Sequence, residues 1–326
     1  MSKDALERRI QAIEALRSAP DTAAEPLRKA LRDRNNYLVS RAAAVAGSLG
    51  LGALVPDLLA AFDRFLEDSV KSDPQCWAKN AIVKALRELG HSDPEVFLKG
   101  LAHVQPEPVW GGRADTATTL RGECALALGA CQLDDLTVLR HLTDALADPE
   151  TPVRVNAARA VGQLGRPEGA LLLRLKVLLG DSEPEVTGEC FAELVRLSGA
   201  EGVSFVARYL SSADEAVRGE AAAALGQSEE PSALEMLRQR WKLDSSAELK
   251  RVIVLSLGAS TNPAAAEFLL SVIADASVEL AAAAIEALSS SRFRSGVREQ
   301  VAEAVARRGG GALQKVFSKE FGTKAD

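Results

Sequence analysis

Asp148-Pro149-Glu150-Thr151-Pro152-Val153-Arg154-Val155-Asn156-Ala157-Ala158-Arg159-Ala160-Val161-Gly162 is the stretch that decides the fold. Its parts recur at fixed distances along the chain. The arginine register is occupied in turn by Val39, Lys79, Arg121, Arg154, Thr187, Arg218, Lys250 and Ala281. Six residues before it stand Asp33, Asp73, Asp115, Asp148, Asp181, Ser212, Asp244 and Asp275, and eight after it Gly47, Arg87, Gly129, Gly162, Val195, Gly226, Gly258 and Ser289. A fixed period of this size is the mark of a stacked-repeat protein, in which each unit buries its apolar face only against its neighbours.

Within each repeat the apolar positions lie one before the arginine register and three, four and seven after it. Val153, Ala157, Ala158 and Val161 are one set; Val217, Ala221, Ala222 and Leu225 are another. These offsets place four side chains on one face of an α-helix, the second helix of a pair. The first helices are expected over Leu136–Ala147, Leu171–Leu179, Val203–Leu210, Ala233–Trp241 and Ala265–Ile273. The recurrent Asp falls between the two helices, where its carboxylate can accept from free N–H groups of the next turn. Residues 4–18 read as a capping helix, and residues 294–321 as a closing pair interrupted by Gly309-Gly310-Gly311.

The frame running from Asp148 to Gly162 resembles the HEAT-like repeat, closest to the short Ala-rich repeats of bilin lyases and deoxyhypusine hydroxylases. The resemblance covers about residues 21–290. It implies an all-α, right-handed α-solenoid (superhelix) of about eight helix pairs with terminal caps, as a single domain over 1–326: cap 1–20, repeats 21–290, cap 291–326. It also implies second helices lining a concave surface and an Asp–Arg/Lys ladder between repeats, broken where Val39, Thr187 and Ala281 hold the basic register. In deoxyhypusine hydroxylases the dipeptide matching Gly122-Glu123, Gly188-Glu189 and Gly219-Glu220 is His-Glu and holds a di-iron centre. Here each His is Gly, and His91, His103 and His141 stand elsewhere. Too few nitrogen ligands remain for such a centre, so no metal and no cofactor is expected.

Composition narrows the class. Aromatic residues are 4% of 326, alternating strand-forming runs are absent, and no apolar run is long enough to span a membrane. The charged start MSKDALERRI does not read as a signal peptide. Cys76, Cys124, Cys131 and Cys190 lack metal-finger spacing; Cys124 and Cys190 fall at a core register where other repeats carry Ala or Ile. Together these point to a reducing cytoplasm. The net charge of −6 concentrates in residues 134–248, with 20 acidic against 12 basic side chains, which disfavours a nucleic-acid partner. The basic run Arg292, Arg294, Arg298, Arg307, Arg308, Lys315 and Lys319 reads as a solvated cap.

Two features stand outside the economy of the frame. Two early repeats are lengthened, one around Phe62–Cys76 and the other over His103–Thr119. The second carries Trp110 before two glycines, with His103, Glu107 and Arg113 around it. Long loops in compact repeats carry binding residues, and Trp77 in the preceding repeat could share the same end. Trp110 is expected either to stand exposed for a partner or to fold back into the gap its own insertion creates. The second feature is Glu123, Asn156, Glu189 and Glu220, two residues after the basic register, three of them preceded by Gly. A mid-helix Gly costs about 1 kcal/mol against Ala, so either a neighbour approaches closely or a partner needs the space.

No catalytic triad, P-loop or dinucleotide fingerprint is present. The expected function is a non-catalytic scaffold that holds a protein or peptide with its groove and the 103–119 insertion. The rivals are a bilin-lyase-like chromophore chaperone and a HEAT-like alkylpurine DNA glycosylase.

Overall fold

The computed structural model describes residues 3–243 and 246–322, so Asp244 of the Asp series lies outside the described residues. Among the described residues are nineteen α-helices and one β-hairpin, an all-α solenoid whose chain divides into two compact units, Met1–Leu164 and Gly165–Asp326. None of these helices is long and apolar enough to cross a membrane.

The first unit holds α1 (Lys3–Ala15), α2 (Pro20–Leu31), α3 (Asn36–Ser48), α4 (Val55–Leu66), the single turn α5 (Ser69–Ser72), α6 (Trp77–Glu88), α7 (Pro94–Leu101), strands β1 (Pro106–Val109) and β2 (Gly112–Asp115), α8 (Thr118–Leu128), α9 (Asp135–Leu146) and α10 (Thr151–Leu164). Its second helices stack in the order α3, α6, α8, α10. The second unit holds α11 (Pro167–Leu179), α12 (Pro184–Ala207), α13 (Glu215–Gln227), α14 (Pro231–Leu243), α15 (Ala247–Gly258), α16 (Pro263–Asp275), α17 (Val278–Ser290), α18 (Arg294–Arg308) and α19 (Gly311–Phe321). Here α12, α13, α15, α17 and α19 stack in turn. Helix α12 bends at Gly199 (φ 51, ψ −128), so its last turns serve as the first helix of the following pair, continued by a 3-10 turn over Arg208–Ser211.

The four apolar registers are the core. Val153, Ala157, Ala158 and Val161 are wholly buried, as are Ile253 and Val254, and each fully buried Val or Ile contributes roughly 1.5–3 kcal/mol. The closing glycines have a steric cause. A Cβ on Gly226 would come within 2.8 Å of the Ser256 carbonyl, and one on Gly258 within 2.8 Å of the Ala287 Cβ. Gly47 likewise faces the Ala85 backbone at 3.0 Å. Consecutive second helices touch backbone to backbone at these points, which only Gly permits.

The recurrent Asp mostly closes an Asx turn: Asp33, Asp115, Asp148 and Asp181 accept from the amides of Asn35, Ala117, Glu150 and Glu183. The helix itself is often capped by another side chain, Asn35 for α3, Asp214 for α13, Ser277 for α17. The ladder forms at Arg121, which grips Asp115 of its own repeat at 2.5 Å and Asp148 of the next at 2.8 Å. Where Val39 fills the basic register, Arg9 of α1 supplies the cation to Asp33 at 2.6 Å. At the Thr187 level, Lys176 of α11 reaches Asp181 at 2.8 Å.

Candidate functional site

The 103–119 insertion is a two-stranded antiparallel hairpin, a correction to the expectation of an open loop and of a chain without strands. Pro106 pairs with Asp115, Glu107 with Ala114, Pro108 with Arg113 and Val109 with Gly112, leaving Trp110 and Gly111 as the turn. Gly111, at φ 86, takes the positive-φ place that the turn requires. The Thr116 amide donates to the Gln105 carbonyl at 3.0 Å and so continues the ladder to the foot of the hairpin. The alternation of Gln105 and Glu107 with Pro106 and Pro108 is the period of a strand with one polar, inward face.

That inward face roots the hairpin in a buried polar network. Gln105 is wholly buried; its Nε2 donates to the Asp73 carbonyl at 2.8 Å and to Glu107 Oε1 at 2.7 Å, and its Oε1 accepts from His103 at 3.1 Å. Glu107, expected to meet a partner, instead lies buried and accepts from the Gln75 amide at 2.7 Å and the Thr116 hydroxyl at 2.6 Å. A carboxylate that closes three internal bonds holds the chain together and cannot also face outward. Burial opposes its charge, yet bonds from Thr116, Gln105 and Gln75 outweigh that cost and hold its carboxyl below the ordinary value. Asp115 behaves alike: burial raises it, while the amides of Gln105 and Ala117 and the Arg121 guanidinium bring it down. His103 is pushed down, chiefly by burial.

Beneath the hairpin lies a second layer. Lys79 and Asp73 are both wholly buried and paired at 3.1 Å. Asp73 also accepts from the amides of Ala78 and Lys79 and from Asn36, while Lys79 donates to the Phe65 carbonyl at 3.1 Å. Between them Gln75 (φ 61) and Cys76 (φ 57) take left-handed backbone, which is unusual outside Gly and Asn. With the Gln75 amide pointed at Glu107, this strained turn and the hairpin foot hold each other in place.

The outer end is apolar. Trp110 at the tip is fully exposed, so it does not fill the gap beneath its own insertion, and Val104 and Val109 are exposed beside it. Arg113 is exposed and donates to the Pro106 carbonyl at 2.9 Å. Trp77 is half-exposed and meets Tyr37 edge-on at 5.1 Å; no ring contact among the described residues joins it to Trp110.

The polar residues after the basic register go into packing between repeats. Glu123 pairs with Arg87 at 2.8 Å. Asn156 donates to the Pro152 carbonyl at 2.9 Å and rests against Gly122, where a Cβ would come within 2.5 Å of its Nδ2. Glu220 rests against Gly188 in the same way. The glycine of one repeat thus makes room for the side chain of the next. Gly219 meets nothing, because the matching residue of the following repeat is Val252. Glu220 is pushed above the ordinary carboxylate value by burial, and further by Glu185 and Glu189.

Two groups of residues escape the frame-based reading. Gln105, Thr116, Asp73 and Lys79 carry the hairpin network. In the second unit, Leu171, Leu175, Leu178 and Leu179 of α11 are exposed on one face, within a run from Ala170 to Leu179 whose only polar residues are Arg174 and Lys176. The signal for the latter is a helix apolar all round. The four thiols are free; burial pushes Cys76 and Cys190 up to about 12 and Cys131 up to about 11.

Residues 171–258 and, overlapping them, 204–289 match the family model of HEAT repeats, a match that lies wholly in the second unit. The complex of CpcE and CpcF of phycocyanin lyase from Nostoc sp. PCC7120 is similar at 18% identity, covering 86% of this chain and 94% of that one with a TM-score of 0.37. Human deoxyhypusine hydroxylase in complex with glycerol is similar at 20% identity, covering 78% and 94% with a TM-score of 0.30. An engineered protein is similar at 15% identity over 98% and 93%, with a TM-score of 0.39. Scores this low transfer neither ligand nor activity. No curated protein matches the chain in sequence.

Proposed function

We propose that this HEAT-like repeat chain is a non-catalytic interaction scaffold of a reducing cytoplasm, and that the hairpin over 103–119 holds a protein or peptide partner. The observation that carries the reading is Trp110, fully exposed on a hairpin whose foot is fixed by a buried network. An exposed indole is costly to leave in water and is among the strongest anchors when covered by a partner. Preorganisation adds to this, because a rooted hairpin loses little freedom on binding. The exposed surface is apolar with the one cation Arg113, which suits a polypeptide better than a phosphate backbone. The free thiols, held protonated by burial, fit a packing role and a reducing compartment.

Trp110→Ala removes the anchor without touching the network. Thermal unfolding should stay within about 0.5 kcal/mol of the parent, as for other surface changes. Affinity for a partner identified by crosslinking at Trp110 and purified should fall by about 2 kcal/mol or more, roughly thirtyfold, in calorimetry. Equal affinity of the two proteins would refute the reading.

A further inference from the structure

The two edges of the hairpin are chemically unequal. The bond from Thr116 to Gln105 sets the parity of the ladder: Gln105, Glu107 and Val109 face β2, while Pro106 and Pro108 face away from it. Both outward positions of β1 are therefore prolines, which have no N–H to offer, and the Pro106 carbonyl is taken by Arg113. That edge is closed to a further strand. By the same parity Arg113 and Asp115 turn their amides and carbonyls outward from β2, and no hydrogen bond of the described residues uses either amide.

We propose that the Gly112–Asp115 edge takes up an extended segment of a partner protein as a third strand. This rests on the reading of the hairpin as a partner site and names how the partner is held. An added strand would meet the amide and carbonyl of Arg113 and of Asp115, backbone bonds that a rigid template offers at little entropic cost. The partner segment lacks proline at its two pairing positions, carries an apolar side chain toward Trp110, and places a carboxylate beside the Arg113 guanidinium. A second copy of this chain fits the edge poorly. Two-fold pairing centred on Ala114 sets Arg113 opposite Asp115, and by the same register each Trp110 opposite Thr118 of the other copy. Thr118 begins α8, where no strand continues.

The test uses the full chain and displayed random dodecapeptides, selected on the chain and counter-selected on a variant with residues 106–115 replaced by a short Gly-Ser link. Selected peptides are then resynthesised with alternate amides N-methylated. Methylation in one parity should weaken binding about tenfold or more, the loss expected of two backbone hydrogen bonds, while the other parity leaves it unchanged. Arg113→Pro, which mirrors Pro108 and spares the ladder, should weaken binding equally, and the Arg113 amide should gain protection from hydrogen exchange when peptide is bound. If Arg113→Pro fails to fold, N-methylation on the parent chain decides alone. Peptides that need Trp110 but tolerate methylation in both parities overturn strand addition and leave the hairpin site standing. A library that yields no hairpin-dependent peptide overturns both. A dimer of the chain dissolved by Arg113→Pro assigns the edge to a second copy and overturns the proposal.

Discussion

Arg121 in the first unit and Arg218 in the second stand at the same register of the frame and keep different company. Arg121 is almost wholly buried and joins Asp115 to Asp148 and the His103 carbonyl. Arg218 reaches only the carbonyls of Ser212 and Ala213, with Ser212 where the frame has Asp. Lys79 and Lys250 repeat the contrast. Lys79 is wholly buried against Asp73, whereas Lys250 is part-exposed and lies over the Trp241 ring at 5.2 Å. One frame therefore serves two ends. Around the hairpin its polar registers are drawn inward to fix an insertion; in the regular repeats they stay near the surface and small residues set the packing.

Lys79→Met breaks this comparison most sharply. It leaves Asp73 charged and buried without its cation, a change that costs about 3–5 kcal/mol when a buried pair loses one partner. Lys250→Met, at the same register, should cost under about 1 kcal/mol, since only a part-exposed cation–π contact is lost. Denaturant unfolding followed by amide exchange within residues 60–125 measures the first. If both variants lose the same stability, the two registers are equivalent and the contrast is empty.

Two glycines of α13 sharpen the packing side of the contrast. Gly226→Ala drives a Cβ into the Ser256 carbonyl, a backbone atom that cannot swing aside, and should cost about 1–3 kcal/mol. Gly219→Ala meets open space and replaces a poor helix former, so it should stabilise by up to about 1 kcal/mol. Opposite signs in thermal melts of the two variants are the expected outcome; a loss at both sites would show that something covers Gly219.

The helix pairs were legible because a 3.6-residue period repeated in register is a strong signal, and Val153, Ala157, Ala158 and Val161 all lie where that period puts them. The hairpin was not, because each strand is only four residues long and two prolines mask its alternation. Exposure of Trp110 followed from its two glycines, but burial of Glu107 did not. A carboxylate beside a tryptophan reads as a binding pair, and only the left-handed turn at Gln75 and Cys76 reveals what it binds. No residue type announces that turn, since neither position is Gly or Asn. The glycines before Glu123, Glu189 and Glu220 were visible as a cost; their cause, a side chain from the next repeat, needed the stack itself.

Asn156 and Glu220 occupy the same place in two repeats, each against the glycine of the repeat before, and differ in charge. The neutral occupant has a backbone partner in Pro152, while Glu220 faces Glu185 and Glu189 in a half-buried setting. Its folded-state value is raised, so the folded protein holds this proton more tightly than the unfolded chain. Stability from this group is therefore greatest at acid pH and is lost as pH rises from the ordinary carboxylate range, about 4, through the raised value. Glu220→Gln removes that loss while keeping the side chain's size against Gly188. It should stabilise the second unit by roughly 0.5 kcal/mol at neutral pH, the scale of like-charge neighbours on helices, and by nothing near pH 4. Melting curves of the two proteins across that interval should converge on the acid side. Curves that stay parallel at every pH would mean that shape rather than charge separates the two occupants, and the second unit would then match the first at this register.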